Sequence, residues 1–512
     1  MLSSPIQRAA STVKKRPILK DLSIAVVLFG SLVRLVQYLS NRSLWGDEAM
    51  LALNIVDRSY LELLTPLDYN QAAPPLFLWI ERFAVQVFGN NEYALRLFPF
   101  LCGLVSLVAF FKLTTRYGSA IAAPIAIALF ACLKYTLYYA NEAKQYSSDV
   151  MVALLLCLWL IPLKHQQLTA KQLVPLGIVG AVFIWLSHPT IFIMAGIEAS
   201  YLLIASNPQR RQIIVNRLPM YLAWLFSFLG VYFFTIRGTL ENDVLTDSWD
   251  NRYPNSLLDV MWAFDALGRF FYNPLGFLGF TDGVAIFAFI VGCVALYYRD
   301  RIILLTIAAP ILVTLFASYL NQYPFRERLV LFLAPLAILI IAEGIALLIV
   351  QFRRRHKLVS ILGACVFFIL LLPPFVRASQ QLISPLKVEE IRPVMTYIKS
   401  HQTPGDRLYV YPFGKEQFLY YAPKFGYAPN DYVMGAQTLA TGGRNNRELS
   451  QPGIRRFRRE IRSFRGQERV WFLFSNTSEM EEQAFLSVVE SWGEPLDRFE
   501  QPGAFVYLYD LE

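Results

Sequence analysis

Residues 22–39 read LSIAVVLFGSLVRLVQYL and are followed at 43–50 by SLWGDEAM. The first stretch carries a single charge, Arg34, and is long enough to cross the hydrocarbon core of a bilayer as a helix. The second sets two adjacent carboxylates, Asp47 and Glu48, just beyond its end. An acidic pair at that depth is either an ordinary solvated loop or a site for proton transfer and cation binding. The rest of the chain decides between them.

The 512 residues are 55% hydrophobic, 15% aromatic and only 17% charged. A soluble chain of this length would form several domains with more charge on their surfaces. The apolar residues instead come in blocks, at about 22–40, 94–112, 119–136, 149–163, 173–187, 189–206, 218–236, 283–298, 302–320, 329–350 and 358–376. The alternation of a membrane barrel is missing, so the expected class is a polytopic α-helical membrane protein of about eleven spans. The net charge of +9 does not point to nucleic acid, because the basic excess lies in short loops between apolar blocks.

Those loops set the orientation. With the N-terminus (Lys14, Lys15, Arg16, Lys20) inside, the groups Lys112/Arg116, Lys164/Lys171, Arg210/Arg211/Arg217, Arg299/Arg301 and Arg353/Arg354/Arg355/Lys357 all fall inside as well. No small-residue cleavage site follows the first apolar block, which reads as a retained helix. Asp47, Glu48 and everything after the last span then lie outside. The five cysteines sit in or beside apolar blocks, which gives neither a disulfide framework nor a metal-spaced cluster.

The external segments are the longer ones. Pro74 to Phe88 is too short and too charged to span and suits an interfacial helix, with Glu81 and Arg82 expected on its solvated face. The aromatic later part of 237–282 suggests further surface-lying helices. After about Arg377 the composition becomes that of a soluble domain, giving an expected division into 1–376 and 377–512. There, helical spacing at 388–401 and 479–492 alternates with strand-like runs at 407–412, 469–474 and 504–509, as in a small α/β domain. Ile454, Phe457, Ile461 and Phe464 share one face of an arginine-rich helix that reads as a solvated amphipathic element.

Ionisable residues cluster at external helix ends: Asp47/Glu48, Glu142/Lys144/Tyr146/Asp149, His188 and Arg326/Arg328. At such ends polar groups serve a substrate without the full cost of burial in lipid. Arg34 either snorkels outward or pairs with a carboxylate or phosphate.

Four segments carry a resemblance. Leu44-Trp45-Gly46-Asp47-Glu48-Ala49 resembles the Asp-Glu signature of GT-C glycosyltransferases, in the branch of protein O-mannosyltransferases and the lipid A aminoarabinose transferase. Asn70-Gln71-Ala72-Ala73-Pro74-Pro75-Leu76 is similar to that family's Pro-Pro-Leu start of an interfacial helix, although the histidine common before the proline pair is missing. Asn91-Glu92-Tyr93-Ala94-Leu95-Arg96-Leu97 resembles its Glu-x-x-x-Arg start of the second span, and Glu142-Ala-Lys144-Gln-Tyr146 its second large external loop.

The resemblance implies an integral-membrane glycosyltransferase that uses a polyprenyl-phosphate-linked sugar as donor. The acceptor would be a hydroxyl on a lipid, glycan or protein, and the place the external side of what is expected to be a bacterial cytoplasmic membrane. Such transfer needs a base for the acceptor proton and cations for the departing phosphate. Asp47 is the expected base and Glu48 its supporting carboxylate. Glu142, Lys144, Tyr146, His188, Arg326, Arg328 and Arg96 are the expected substrate-binding set. Asp47, Glu48 and Glu142 are also where a divalent cation could be held, no cofactor being otherwise required. The competing classes are a multi-span transporter, which predicts internal repeats that are not found here, and a non-catalytic envelope-assembly protein.

Overall fold

The computed structural model describes residues 17–163, 167–243, 252–350, 357–441 and 447–511. Lys14, Lys15, Arg16, Lys164, Arg353, Arg354 and Arg355, used above for orientation, and part of 237–282 lie outside them. The chain divides into two compact units, one of Met1–Ser40 with Ser59–Pro385 and one of Asn41–Arg58 with Leu386–Glu512.

In the first unit all eleven apolar blocks are helical. In chain order the helices are α1 Pro17–Leu39, then, after α2 of the other unit (Gly46–Asp57), α3 Pro75–Phe88, α4 Glu92–Tyr117, α5 Ala122–Cys132, α6 Lys134–Tyr138 and α7 Tyr146–Leu160. They continue with α8 Ala170–Leu186, α9 Thr190–Ile204, α10 Asn207–Val231, α11 Val260–Tyr272, α12 Phe280–Tyr319, α13 Ala334–Val350 and α14 Lys357–Gln380. Among the described residues, seven helices are long and apolar enough to span a membrane, or up to eight if one bent pair is counted as a span. The lower count has a physical origin. α8 and α9 are apolar but short, and the 40 residues of α12 are two helices joined at Asp300. That residue leaves the helical region (φ −157°, ψ 90°), and its Oδ1 accepts the amides of Ile302 and Ile303 at 3.0 and 3.1 Å, capping the second half.

The bent pair explains Arg34. The chain turns by 63° at Leu133, between α5 and the segment beginning with α6. A break in a helix frees carbonyls that must find donors. Arg34, 1% exposed, donates to the carbonyls of Gly30 (3.0 Å), Phe130 (3.4 Å), Ala131 (3.3 Å) and Thr136 (3.1 Å). It therefore neither snorkels nor pairs with a carboxylate but caps the break. Arg217, read as a loop cation, is likewise buried inside α10, where its guanidinium holds Glu198 of α9 at 2.7 Å. Small residues let helices meet closely: a Cβ on Gly292 would fall 1.8 Å from the Ile340 carbonyl, so α12 and α13 pack backbone to backbone.

The interfacial helix forms where expected, with Pro75 in its first turn, but its faces are the reverse of the expectation. Glu81 is fully buried with Phe77, Leu78, Ala84 and Val85, while Phe83, Val87 and Phe88 are exposed. An outward apolar face is what a helix lying against lipid requires. α11, with Met261 and Phe264 outward, repeats that pattern in the part of 237–282 that is described.

The second unit carries α15 Ile391–His401, β1 Arg407–Val410, α16 Lys415–Tyr421, β2 Val433–Met434, the small ladder β3 Ala440–Thr441 and β4 Glu448–Leu449, α17 Gln451–Ile461, β5 Val470–Ser475, α18 Glu479–Val489, β6 Glu494–Gln501 and β7 Ala504–Asp510. The main sheet runs β2-β1-β5-β7-β6, parallel from β2 to β5 and antiparallel from β5 to β6. An aromatic core of Tyr409, Phe457, Phe472, Phe474, Phe485 and Tyr507 fills one side of it. The unit also contains Asn41–Arg58, and its C-terminal part begins at Leu386, because the last apolar helix continues to Gln380.

Candidate functional site

Asp47 is the second residue of α2, half-buried in its first turn. Glu48, 0% exposed, is held by a two-pronged ion pair: Arg42 Nη1 lies 3.0 Å from Oε2 and Nη2 donates to Oε1 at 3.3 Å. The Trp45 amide also donates to Glu48 Oε2 at 3.3 Å, which closes the turn that presents Asp47.

Residues far along the chain fix the same turn. The Gly46 amide donates to Glu389 Oε2 at 2.9 Å, and the Ser43 amide and hydroxyl donate to Glu390 Oε1 and Oε2, each at 3.2 Å. The Leu44 amide donates to the Tyr421 hydroxyl at 2.9 Å, while Gln417 Nε2 donates to the Leu44 carbonyl at 2.9 Å. Arg392 reaches the Asn41 carbonyl with its guanidinium and Ser43 Oγ with its amide. Peptide groups that would otherwise be buried and unpaired are satisfied by charged or hydroxyl side chains of the sheet-bearing domain. None of these partners was anticipated from the sequence. The signal available, the acidic pair Glu389-Glu390 just after the last span, says nothing of where it folds back.

The other expected site residues lie in the first unit. Glu142 is fully buried just after a short 3₁₀ turn, and its carbonyl accepts the Lys144 amide at 2.7 Å. Lys144 Nζ donates to Gln71 Oε1, and Gln145 Nε2 donates to the Ala72 carbonyl at 3.1 Å, which ties this loop to the segment before the proline pair. Gln71 thus has a defined role where the related family more often has histidine. Tyr146 opens α7, with the Arg328 guanidinium 5.4 Å from its ring centre and Tyr139 edge-on at 5.1 Å. Of the expected set, Tyr146 and Arg328 are brought into contact, while Lys144 faces Gln71. Arg326 instead pairs with Asp265 of α11 at 3.0 Å. Arg96 is buried one turn into α4, following Glu92.

His188 sits between α8 and α9 with no partner for Nε2, and burial pulls its pKa down to about 4, leaving a neutral imidazole at pH 7. Glu81 has no partner for either oxygen, and burial holds its carboxyl well above the ordinary range. Among the described residues, no group of three or more His, Cys, Asp or Glu side chains is arranged to hold a metal ion. Glu48, expected as one such ligand, has both oxygens committed to Arg42.

Residues 72–235 match the family described as dolichyl-phosphate-mannose-protein mannosyltransferase. No curated protein matches the chain by sequence. Among solved structures, the chain is similar to ArnT from Cupriavidus metallidurans bound to undecaprenyl phosphate, with a TM-score of 0.52 at 12% identity over 94% of this chain and 97% of that one. It is also similar to the Archaeoglobus fulgidus oligosaccharyltransferase in complex with Zn and sulfate, with a TM-score of 0.52 at 12% identity over 94% of this chain and 72% of that one. Helices of spanning length, a small sheet domain and these likenesses agree on the fold: the chain is similar in architecture to both solved proteins, and over residues 72–235 it resembles the mannosyltransferase family.

Proposed function

We propose that this protein transfers a sugar from a polyprenyl-phosphate-linked donor to an acceptor hydroxyl on the external side of a bacterial cytoplasmic membrane, with inversion at the sugar carbon. The observation that carries the reading is the acidic turn: Asp47 alone of its carboxylate pair is partly exposed, on backbone held by Glu389, Glu390, Gln417 and Tyr421. The likeness to a structure bound to undecaprenyl phosphate supports the donor class. A rigidly held carboxylate beside an acceptor is what a general base requires.

In this mechanism Asp47 takes the proton of the acceptor hydroxyl as its oxygen forms a bond to the anomeric carbon. The bond from that carbon to the phosphate oxygen breaks, and its electron pair leaves on the polyprenyl phosphate. Lys144 and Arg328 stabilise that charge, with Arg328 preorganised on the Tyr146 ring, while Arg326 is already paired with Asp265. Glu142 orients the acceptor, and Arg96 belongs to the substrate-binding set. His188, neutral at working pH, acts as a hydrogen-bonding group and not as a cation. Glu48 supports the base by fixing its turn through Arg42. In this reading the N-terminus is cytoplasmic and the sheet-bearing domain external, an orientation supported by the basic residues of the short loops.

The test is to incubate purified protein with labelled polyprenyl-phosphate sugars and acceptor extracts. Release of polyprenyl phosphate that is lost in Asp47→Asn is the expected result. Wild-type turnover by that variant would refute the base assignment, and vectorial solute uptake without bond cleavage would instead support a carrier.

A further inference from the structure

Helix α17 and its 3₁₀ extension place six arginines, Arg455, Arg456, Arg458, Arg459, Arg462 and Arg465, on the exposed side of one short stretch. The opposite side is spent: Phe457, Ile461 and Phe464 belong to the aromatic core, and Ile454 packs against it. The helix therefore cannot insert an apolar face into lipid, and what it offers outward is charge. That charge is not neutralised. Glu460, the one acid in the stretch, directs its oxygens to the amides of Ala436 and Gln437 at 2.7 and 3.0 Å. Among the described residues none of the six arginines is in an ion pair. Arg465 stacks on Trp492, with its guanidinium 4.6 Å from the ring centre, and Arg456 Nε donates to the Pro452 carbonyl at 3.3 Å.

Crowding so many like charges on one helix face is unfavourable by itself. A surface built this way gains stability from a ligand that presents many anions at once. Guanidinium groups suit phosphate in particular, through their paired N–H donors. Covalent connectivity bears on the source of that phosphate. The chain passes between the two units at 40/41, 58/59 and 385/386, and α1 and α14, both of spanning length, end at Leu39 and Gln380. The sheet-bearing domain is thus joined by short connections to helices of spanning length, which holds a lipid surface at high effective concentration.

We propose that the arginine face of α17 is an electrostatic docking surface for the phosphate headgroups of anionic lipids, separate in its residues from the candidate transfer site. Binding is through headgroups alone, and so is lost in salt and insensitive to acyl chains.

The full-length protein, reconstituted in nanodiscs of neutral phosphatidylcholine, is mixed with vesicles of phosphatidylcholine with or without phosphatidylglycerol and floated on a density gradient. The wild type is expected to float with the phosphatidylglycerol vesicles only, and to be released by salt. The variant Arg455→Gln/Arg458→Gln/Arg459→Gln/Arg462→Gln is expected to bind them about tenfold or more weakly, with its unfolding midpoint unchanged. Should that variant fail to fold, the pair Arg455→Gln/Arg459→Gln shows a smaller loss in the same assay. Equal flotation of variant and wild type, or flotation that ignores phosphatidylglycerol, would overturn the proposal. So would displacement of the wild type by a soluble anionic polysaccharide at charge concentrations below those of the lipid, which would make the patch a glycan site.

Discussion

Two short helices, α2 and α3, each carry a fully buried glutamate, and they treat it in opposite ways. On α2, Glu48 is buried and fully served: Arg42 takes both oxygens, and five residues from beyond the last span hold the surrounding backbone. On α3, Glu81 is equally buried and neither oxygen has a partner. A carboxylate served by donors orders its neighbours, whereas burial without donors favours the protonated form, as at Glu81. Proximity to a membrane surface does not decide which outcome applies; the donors within reach do.

The contrast can be broken at four points, from the largest effect downward. Asp47→Asn should lower transfer by about a thousandfold with the unfolding midpoint unchanged, as read by release of polyprenyl phosphate. Arg42→Met leaves Glu48 buried without its cation and should cost about 3–5 kcal/mol, seen as a lowered unfolding midpoint. Glu81→Gln separates the two helices by pH. The folded carboxyl lies well above its unfolded value of 4.5, so the folded state retains the proton as pH rises and loses stability relative to the unfolded chain. Wild type and Glu81→Gln should match below that value, and the variant should become the more stable above it, by about 1.4 kcal/mol per pH unit. A pH-independent difference between the two would contradict a buried, proton-holding Glu81. Tyr421→Phe removes the acceptor for the Leu44 amide and should cost about 1 kcal/mol, with turnover falling while donor affinity is retained.

Much of the architecture was legible in residue order. The apolar blocks, the proline-initiated α3, the surface-lying α11 and the central strands β1, β5 and β7 follow from period and punctuation, whereas the two-residue strands β2, β3 and β4 do not. β6 was not, because Glu494–Gln501 is a charged edge strand with most of its residues exposed. Nor were the faces of α3: one acid among apolar residues reads as the wet side, but here the neighbours, not the pattern, decide the buried side. Asp47 was found as a locus, yet its holders stand 343 and more positions away, as Glu389 does from Gly46. No local pattern encodes contacts at that separation. Arg34 was noticed for being charged, and its task became visible only with the bend at Leu133.

The triple passage of the chain between its two units has a consequence for biosynthesis. Asn41–Arg58 leaves the ribosome ahead of ten of the eleven apolar blocks, whereas Glu389, Glu390, Arg392, Gln417 and Tyr421 leave it after them all. Throughout that interval the acidic turn lacks the side chains that shape it. A nascent chain stalled before residue 386 can carry every apolar helix and still have an unformed Asp47 turn. Completion of the far end is therefore a checkpoint: the protein acquires its proposed base geometry only when these late residues have been made.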